Sequence, residues 1–189
     1  MSSLFIASEA PNFNSKLSVI YDPDAIKADA ASGQTIDGST LHFPEEGEQY
    51  GQITCERIGL DCPVFWHDSD EILDYGAGQS IISKPAGYGS MILLAGHNMT
   101  DFNCLQYAEV GDVIKFGTNY CDYEYTIRQI EVWNENDLEE LVNGKATQDY
   151  EELIMYTCYP FYAISGRKTD RLVVFADRTA GLDVVWKEG

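Results

Sequence analysis

The chain has 189 residues, which is enough for one domain with a substantial core, and its apolar fraction is ordinary. Its net charge of −19 comes from 31 acidic and 12 basic residues, and such a surface repels nucleic acids and anionic lipid headgroups. The composition therefore excludes a disordered chain and argues against nucleic acid or a lipid surface as a direct partner.

The sequence contains no apolar run of about 18 residues, so we expect no membrane span within it. Residues 1–10 also lack the basic start and apolar centre of a signal peptide. Two interpretations stay open at this point. The protein is cytosolic, or it is exported and a leader or anchor has been removed from the sequence.

The cysteines and histidines give little sign of a metal site. No Cys-x-x-Cys pair occurs and the histidines are scattered, so we expect no metal and no cofactor. The odd cysteine count leaves at least one thiol free, and we expect all of them to be free, although two disulfide pairings remain open. The three histidines are His42, His67 and His97. The two candidate disulfides are Cys104 with Cys121 and Cys55 with Cys62, and Cys158 is the remaining cysteine.

Residues 1–47 are weakly patterned and are predicted to form an arm that leads to, or packs on, a second region over residues 48–189. Asp22 and Pro23 begin a predicted helix over residues 24–31, because a carboxylate caps free N–H groups and proline suits the first helical position. Gly33 is its predicted stop. Residues 35–47 are polar and are predicted to be a connector.

From Tyr50 onward the sequence predicts a mainly β fold. Alternating or continuously apolar segments indicate about eight short strands, at residues 50–58, 64–66, 80–83, 90–96, 112–116, 123–132, 153–158 and 171–175. Short helices are predicted at 69–73, 102–107 and 136–142, the last one stopped by Asn143-Gly144, with turns at 61–63 and 84–89. The tail is expected to dock by Trp186. Many short strands separated by polar turns are typical of a sandwich or a closed barrel.

A cysteine and an arginine stand at facing ends of two predicted strands. Cys158 ends one apolar strand, Pro160 blocks its simple continuation, and Arg171 begins the next strand. If the strands are neighbours, both side chains lie at the same end of the sheet, where a fixed cation favours the thiolate. The alternative is a cysteine that only packs in the core, as strand cysteines often do.

A histidine at the end of another apolar strand supplies the missing base. Gly96 permits a bend or close backbone approach, and His97 follows it at the predicted rim of the sheet. The alternative is a histidine satisfied in the core. Together the three groups predict acyl transfer: the thiolate attacks a carbonyl, the imidazolium protonates the departing amine, and the guanidinium binds the oxyanion or the substrate carbonyl. His42 and His67 lie in turn-like, acidic contexts and are not expected to act in catalysis.

These residues resemble the sortase family, the cysteine transpeptidases of Gram-positive cell surfaces, and the resemblance covers Tyr50 to Arg178. Leu94-Ala95-Gly96-His97 matches the Leu-Ala-Gly-His motif that ends a sortase strand. Thr157-Cys158 matches the end of the Thr-Leu-x-Thr-Cys motif, whose first two positions are Ile154-Met155 here. Arg171 matches the arginine that opens the following strand.

The resemblance implies an eight-stranded sortase-type β-barrel with short helices in its connecting loops, and it implies His97, Cys158 and Arg171 as the catalytic residues. It implies cleavage of a C-terminal Leu-Pro-x-Thr-Gly-like sorting signal after the threonine, through a thioacyl enzyme that an amine resolves. The expected partners are surface proteins or pilins that carry the signal, and an amine from peptidoglycan or from a pilin lysine.

The resemblance also implies where the substrate binds and where the enzyme works. A groove is expected between the strands of His97 and Cys158, walled by the loops 133–150 and 159–170. Substrate or supporting contacts are expected from Thr157, Asn98 and Tyr159. Because sortases are membrane-anchored, the full-length protein is expected on the extracellular face of a Gram-positive cell membrane, with its anchor outside this sequence.

The subfamily is less defined. The segment 157–161 looks like that of class D sortases or of some class B relatives. Class C pilus sortases carry a lid with an Asp-Pro-aromatic anchor, and because Asp24 follows Asp22-Pro23 here, we predict no lid.

Two other functions remain open. The first is a different cysteine peptidase or acyltransferase. A peptidase releases acid without needing an amine, whereas a transpeptidase depends on the amine. A ligand-binding β-barrel with a buried Cys158 has no reactive thiol, so labelling of that thiol distinguishes it from both enzymes.

Overall fold

We obtained a computed structural model of the chain, which describes residues 34–162 and 166–186. The predicted helix over residues 24–31, and most of the predicted arm, lie outside these residues. The division of the chain at residue 47 therefore stays a prediction.

The described part of the chain is mainly β, as predicted. Its strands are β1 (Thr35–Asp37), β2 (Gln49–Cys55), β3 (Leu60–Trp66), β4 (Ala77–Gln79), β5 (Met91–Ala95), β6 (Val113–Thr118), β7 (Asp122–Asn134), β8 (Glu152–Tyr159), β9 (Asp170–Ala180) and β10 (Asp183–Val185). Its α-helices are α1 (Asp70–Leu73) and α2 (Glu135–Lys145), and 3₁₀ turns cover Gly38–Thr40, Glu56–Ile58 and Asn103–Tyr107.

Eight strands of the described residues form a closed barrel, in the order β2-β3-β4-β5-β8-β9-β7-β6. The predicted eight-stranded barrel is therefore confirmed. The β3–β4 and β5–β8 pairs are parallel and the other neighbours are antiparallel. Closure leaves no strand of the barrel with an unpaired edge along its whole length.

Apolar side chains pack on both faces of the β5–β8–β9 part of the wall. Since successive strand residues point to opposite faces, Leu94, Met155 and Val174 fill the interior of the barrel. Leu93 and Val173 point outward and contact α2 through a second cluster that contains Leu138, Val142 and Ile154. The helix therefore covers the outside of the wall next to the ends of β5 and β8.

Two predicted segment types were wrong. Residues 61–63 belong to β3 rather than to a turn. Pro63 is tolerated there because β4 begins to pair only at Val64, which leaves the start of β3 with β2 as its neighbour. Residues 80–83 form a turn rather than a strand, with Ile81 and Ile82 exposed, and the strand lies just before them at Ala77–Gln79.

The end of α2 also differs from the prediction. The helix runs through Asn143-Gly144 to Lys145. Lys145 Nζ lies 2.7 Å from a carboxylate oxygen of the fully buried Glu152, which also pairs with Arg128. This tertiary ion pair holds the last helical turn in place and outweighs the local stop signal.

The two outermost described strands, β1 and β10, form a small parallel sheet of their own. A three-residue strand therefore interrupts the connector predicted at 35–47. Trp186 follows β10 and its ring lies 5.1 Å from that of Tyr88, in an edge-on contact. The tail thus docks through its aromatic side chain, as expected.

Candidate active site

Cys158 and Arg171 face each other directly across two neighbouring strands. The antiparallel register of β8 and β9 pairs Cys158 with Arg171, and it pairs Tyr156 with Val173 on the same outer face. Residues directly opposite in such a pair have Cβ atoms about 4.5–5.5 Å apart. The backbone register itself therefore brings the predicted thiol and guanidinium together.

His97 joins them from the other side of β8. The parallel register pairs Ala95 with Tyr156, and the Gly96 N–H donates to the Tyr156 carbonyl at 3.3 Å, which continues the ladder past the end of β5. His97 lies two residues after Ala95, as Cys158 lies two residues after Tyr156, so the two side chains share the outer face. His97, Cys158 and Arg171 thus form one row across β9, β8 and the segment that directly follows β5.

The imidazole of His97 is open to solvent on one side. Its side chain is 43% exposed and its Nε2 lies 3.6 Å from the Asp74 carboxylate, in the segment that follows α1. The Cys158 side chain is partly exposed. Both groups are therefore accessible, as a thiol and a base that meet a peptide must be.

Thr157 and Asn98 are used inside the protein. The Thr157 side chain is 1% exposed and its hydroxyl donates to the Gly96 carbonyl at 2.7 Å. The buried Asn98 amide donates to the Pro160 carbonyl at 3.1 Å. These two bonds fasten the segment of His97 to the segment of Cys158. Tyr159 packs against the interior cluster and contacts the ring of Phe161 edge-on at 6.2 Å.

The guanidinium of Arg171 has a defined orientation. Its Nη1 donates to the carbonyls of Lys168 and Asp170 at 2.8 and 3.0 Å, and its Nη2 donates to the Glu135 carboxylate at 2.8 Å. The side chain is 16% exposed. Arginine keeps its charge in such a partly dry position and presents a rigid fork of donors.

A cavity of about 410 Å³ opens on the outer face beside this row. Its floor contains Leu93 and Tyr156, its walls are α2 and the turn that carries Ile82, and Arg171 closes one end. The Tyr156 hydroxyl of the floor is uncharged at neutral pH, as any tyrosine is, and burial raises its pKa further, to about 12. The cavity fits the predicted groove in its strands β5 and β8 and in its α2 wall. No described residue of the predicted second wall, 159–170, lines it, and the turn of Ile82 takes that place.

The sequence did not indicate Glu135, Tyr156 or Ile82 as site residues. Tyr156 lies two positions before Cys158, so strand alternation places it on the same face, and this signal was available. Glu135 reaches Arg171 only because β7 pairs with β9, a contact between residues far apart in the chain. Ile82 lies in a turn that was predicted as a strand.

The other candidate residues lie elsewhere. His42 Nε2 contacts the Glu48 carboxylate at 2.9 Å, away from the row. None of the five cysteines, all of which lie in the described ranges, forms a disulfide, and Cys55 and Cys62 are buried in the interior cluster. Burial raises the pKa of the Cys62 thiol far above its ordinary range, which leaves it unreactive. The described residues contain no cluster of three or more His, Cys, Asp or Glu side chains arranged to hold a metal ion.

A family model described as "Sortase domain" matches residues 53–179, which includes all three residues of the row. The chain belongs to the sortase family. The resemblance seen in the sequence is thereby confirmed, and the family is one of cysteine transpeptidases that act on surface proteins bearing sorting signals.

Relatives and solved structures agree with this assignment. Sortase D of Bacillus subtilis (strain 168) is 26% identical over 135 residues, which are 71% of this chain and 66% of that protein, so the chain spans just under two thirds of this relative. The structure of sortase C from Clostridium perfringens SM101 has a TM-score of 0.60 at 27% identity, over 82% of this chain and 84% of that one.

A further structure extends the likeness of the fold alone. A Clostridium perfringens Sortase D5 transpeptidase has a TM-score of 0.64 at 21% identity, over 82% of this chain and 94% of that chain. Within the described ranges, no helix combines the length and the apolar character needed to cross a bilayer.

Proposed function

We propose that this sortase cleaves a C-terminal Leu-Pro-x-Thr-Gly-like sorting signal after the threonine and transfers the protein to an amine. The observation that supports the proposal is the row of His97, Cys158 and Arg171 on one outer face of the barrel, next to a cavity. Thiol, imidazole and guanidinium are the three groups that such an acyl transfer needs.

The first step forms the acyl enzyme. The Cys158 thiolate attacks the threonine carbonyl carbon, the carbonyl oxygen becomes an oxyanion, and Arg171 stabilises it by charge-assisted hydrogen bonds. The carbon–nitrogen bond to glycine then breaks and His97 gives its proton to the departing amine. A thioester on Cys158 and a neutral imidazole remain.

The second step transfers the acyl group from Cys158 to the acceptor amine. An acceptor amine attacks the thioester carbonyl, and His97 takes a proton from the amine while Arg171 again stabilises the oxyanion. The carbon–sulfur bond breaks, and the Cys158 thiolate and the His97 imidazolium are restored. No external oxidant, reductant or metal takes part in this balance.

The substrate peptide lies along the outer face of β5 and β8, with side chains of the signal in the cavity between α2 and the turn of Ile82. An apolar floor and an uncharged Tyr156 suit leucine and proline side chains. Thr157 and Asn98 act here as positioning residues rather than as substrate contacts, because both are buried and already bonded.

We further propose that the donor is a surface protein or a pilin and that the acceptor is an amine of peptidoglycan or a pilin lysine. The enzyme then works at the extracellular face of a Gram-positive cell membrane and is held there by an anchor outside this sequence. Family membership supports these assignments.

Incubation with a panel of sorting-signal peptides, with and without candidate amines, tests the function by mass spectrometry. We expect a peptide–amine conjugate and a thioester adduct on Cys158. Release of acid at the same rate with and without amine identifies a peptidase instead. If the protein is folded and Cys158 does not react with a thiol reagent, the protein is a binding barrel rather than an enzyme.

A further inference from the structure

Glu135 is the first residue of α2 and contacts Arg171 at the far end of the cavity. Its Oε2 accepts from Arg171 Nη2 at 2.8 Å, and the Glu135 and Arg171 side chains are 22% and 16% exposed. Arg167 donates to the same oxygen at 2.9 Å, but it is largely exposed, and such surface pairs contribute little. The partly buried Glu135–Arg171 pair is therefore the stronger of the two interactions of this carboxylate.

The bonds of Arg171 show what this carboxylate does. Nη1 is directed at the carbonyls of Lys168 and Asp170, and one Nη2 proton is directed at Glu135. Within the described residues, the Nε–H makes no hydrogen bond. The Nε–H and the second Nη2–H thus remain for a ligand, and a guanidinium can donate such a pair to a single oxygen or to a carboxylate edge.

The backbone around Glu135 is itself fixed. The Glu135 N–H donates to the Thr169 carbonyl at 2.8 Å, and the preceding residue, Asn134, pairs with Asp170 across β7 and β9. The Glu135 carboxylate is therefore held on the same rigid ladder that carries Arg171. Without it, the guanidinium keeps only two carbonyl acceptors on Nη1 and gains freedom to rotate about its long side chain.

We infer that Glu135 is a positioning residue that orients the Arg171 guanidinium, leaving its Nε–H and one Nη2–H free for the oxyanion of the acyl-transfer reaction. The inference depends on the proposed function, in which Arg171 stabilises that oxyanion. Because the oxyanion forms only in the transition state, we expect loss of Glu135 to lower kcat more than it raises KM.

A different explanation has to be separated from this one. An acidic residue in the first turn of a helix also stabilises the helix through its dipole, whatever it contacts. Asp137 is a first-turn acid of the same helix and makes no hydrogen bond to Arg171. Asp137→Ala is therefore the matched control for the loss of a helix-stabilising charge.

The test measures kcat and KM for a Leu-Pro-x-Thr-Gly peptide and an amine in the wild type and in Glu135→Ala, Glu135→Gln and Asp137→Ala. We expect Glu135→Ala to lower kcat by about tenfold, the scale of one charge-assisted hydrogen bond, with a smaller change in KM. Glu135→Gln keeps an oxygen acceptor and recovers part of the loss, and Asp137→Ala retains the wild-type kcat. Thermal unfolding shows which variants are folded, and Glu135→Gln carries the test if the alanine variant unfolds.

A double variant identifies the residue through which Glu135 acts. In an Arg171→Ala background, Glu135→Ala should cause no further loss of the residual rate of acylation, followed over hours by mass spectrometry. An equal loss in both backgrounds, or a wild-type kcat in Glu135→Ala, overturns the inference and leaves the proposed function standing. A wild-type protein without amine-dependent turnover overturns the proposed function itself.

Discussion

The Cys158 thiol of this protein gains its cationic neighbour through strand pairing. Cys158 and Arg171 are directly opposite residues of β8 and β9, and His97 continues the parallel ladder on the other side. Side chains placed by a hydrogen-bonded ladder keep their relative positions better than side chains on independent loops. At the residue scale, the predicted chemistry thus depends on two backbone registers, that of β5 with β8 and that of β8 with β9.

We predict that Cys158→Ala abolishes transpeptidation and that His97→Ala and Arg171→Ala each lower the rate by about 100-fold or more, the scale of a lost general acid or oxyanion donor. Single-turnover acylation, followed by mass spectrometry, measures all three. Full activity in Arg171→Ala would remove that residue from the site.

We also predict that Thr157→Val destabilises the protein by about 1–3 kcal/mol, because the substitution keeps the shape but leaves the buried Gly96 carbonyl without its donor. Urea unfolding measures the change. Thr179→Val is the control, since that threonine is exposed, and we expect a change within about 0.5 kcal/mol. Equal effects at the two sites would mean that the Thr157 bond has no special weight.

At the scale of single elements, periodicity predicted the barrel strands where one apolar pattern dominated. The pattern was right for β5, β7 and β8, whose burial alternates or is continuous. It was right for β2 only as far as Cys55, because residues 56–58 of the predicted strand form a 3₁₀ turn. It was wrong where tertiary contacts decided the outcome. Gly78 lets β4 pass close to His67 and Asp68, since a Cβ there would lie 2.7 Å from their backbone atoms, and a short strand of small residues carries no apolar signal.

The turn after β5 yields a prediction about Gly96. A Cβ at this position would lie 2.6 Å from the ring of Phe102, which is fully buried in the interior cluster. We expect Gly96→Ala to cost about 1–3 kcal/mol of stability, the range for an overpacked core, and to displace His97 and lower activity.

Gly144→Ala is the matched control in α2. A Cβ there meets nothing within 4 Å. Because alanine is the better helix former, we expect this variant to gain up to about 1 kcal/mol in urea unfolding and to keep its activity. A neutral Gly96→Ala would show that the loop after β5 tolerates displacement.

The row of His97, Cys158 and Arg171 could be predicted from the sequence of the molecule, whereas its surroundings could not. His97, Cys158 and Arg171 each stand at a strand end, where the residue type and the strand boundary are both visible in the chain. The contact of Glu135 with Arg171 depends on the pairing of β7 with β9, and the ion pair of Lys145 with Glu152 depends on α2 lying over β8. Such long-range contacts follow from topology, which a single sequence does not display.

The net charge of −19 leads to a prediction for the whole molecule. A strongly anionic surface attracts a cationic acceptor, and salt screens this attraction. We expect the KM for a lysine-containing dipeptide to rise between about 0.1 M and about 1 M salt, over which the Debye length falls from about 10 Å to about 3 Å. Hydroxylamine, which is uncharged at pH 7.5, is the control nucleophile. The same salt dependence for both nucleophiles would contradict electrostatic attraction.

Helix α2 is fastened at both ends, by Glu135 to Arg171 and by Lys145 to Glu152, and Leu138 and Val142 pack its middle on the barrel. The α2 wall of the cavity is therefore already in place before a peptide binds. The entropy of ordering it is lost when the chain folds rather than at each encounter. We therefore expect peptides to be distinguished by their steric fit against this wall and by their dissociation rates.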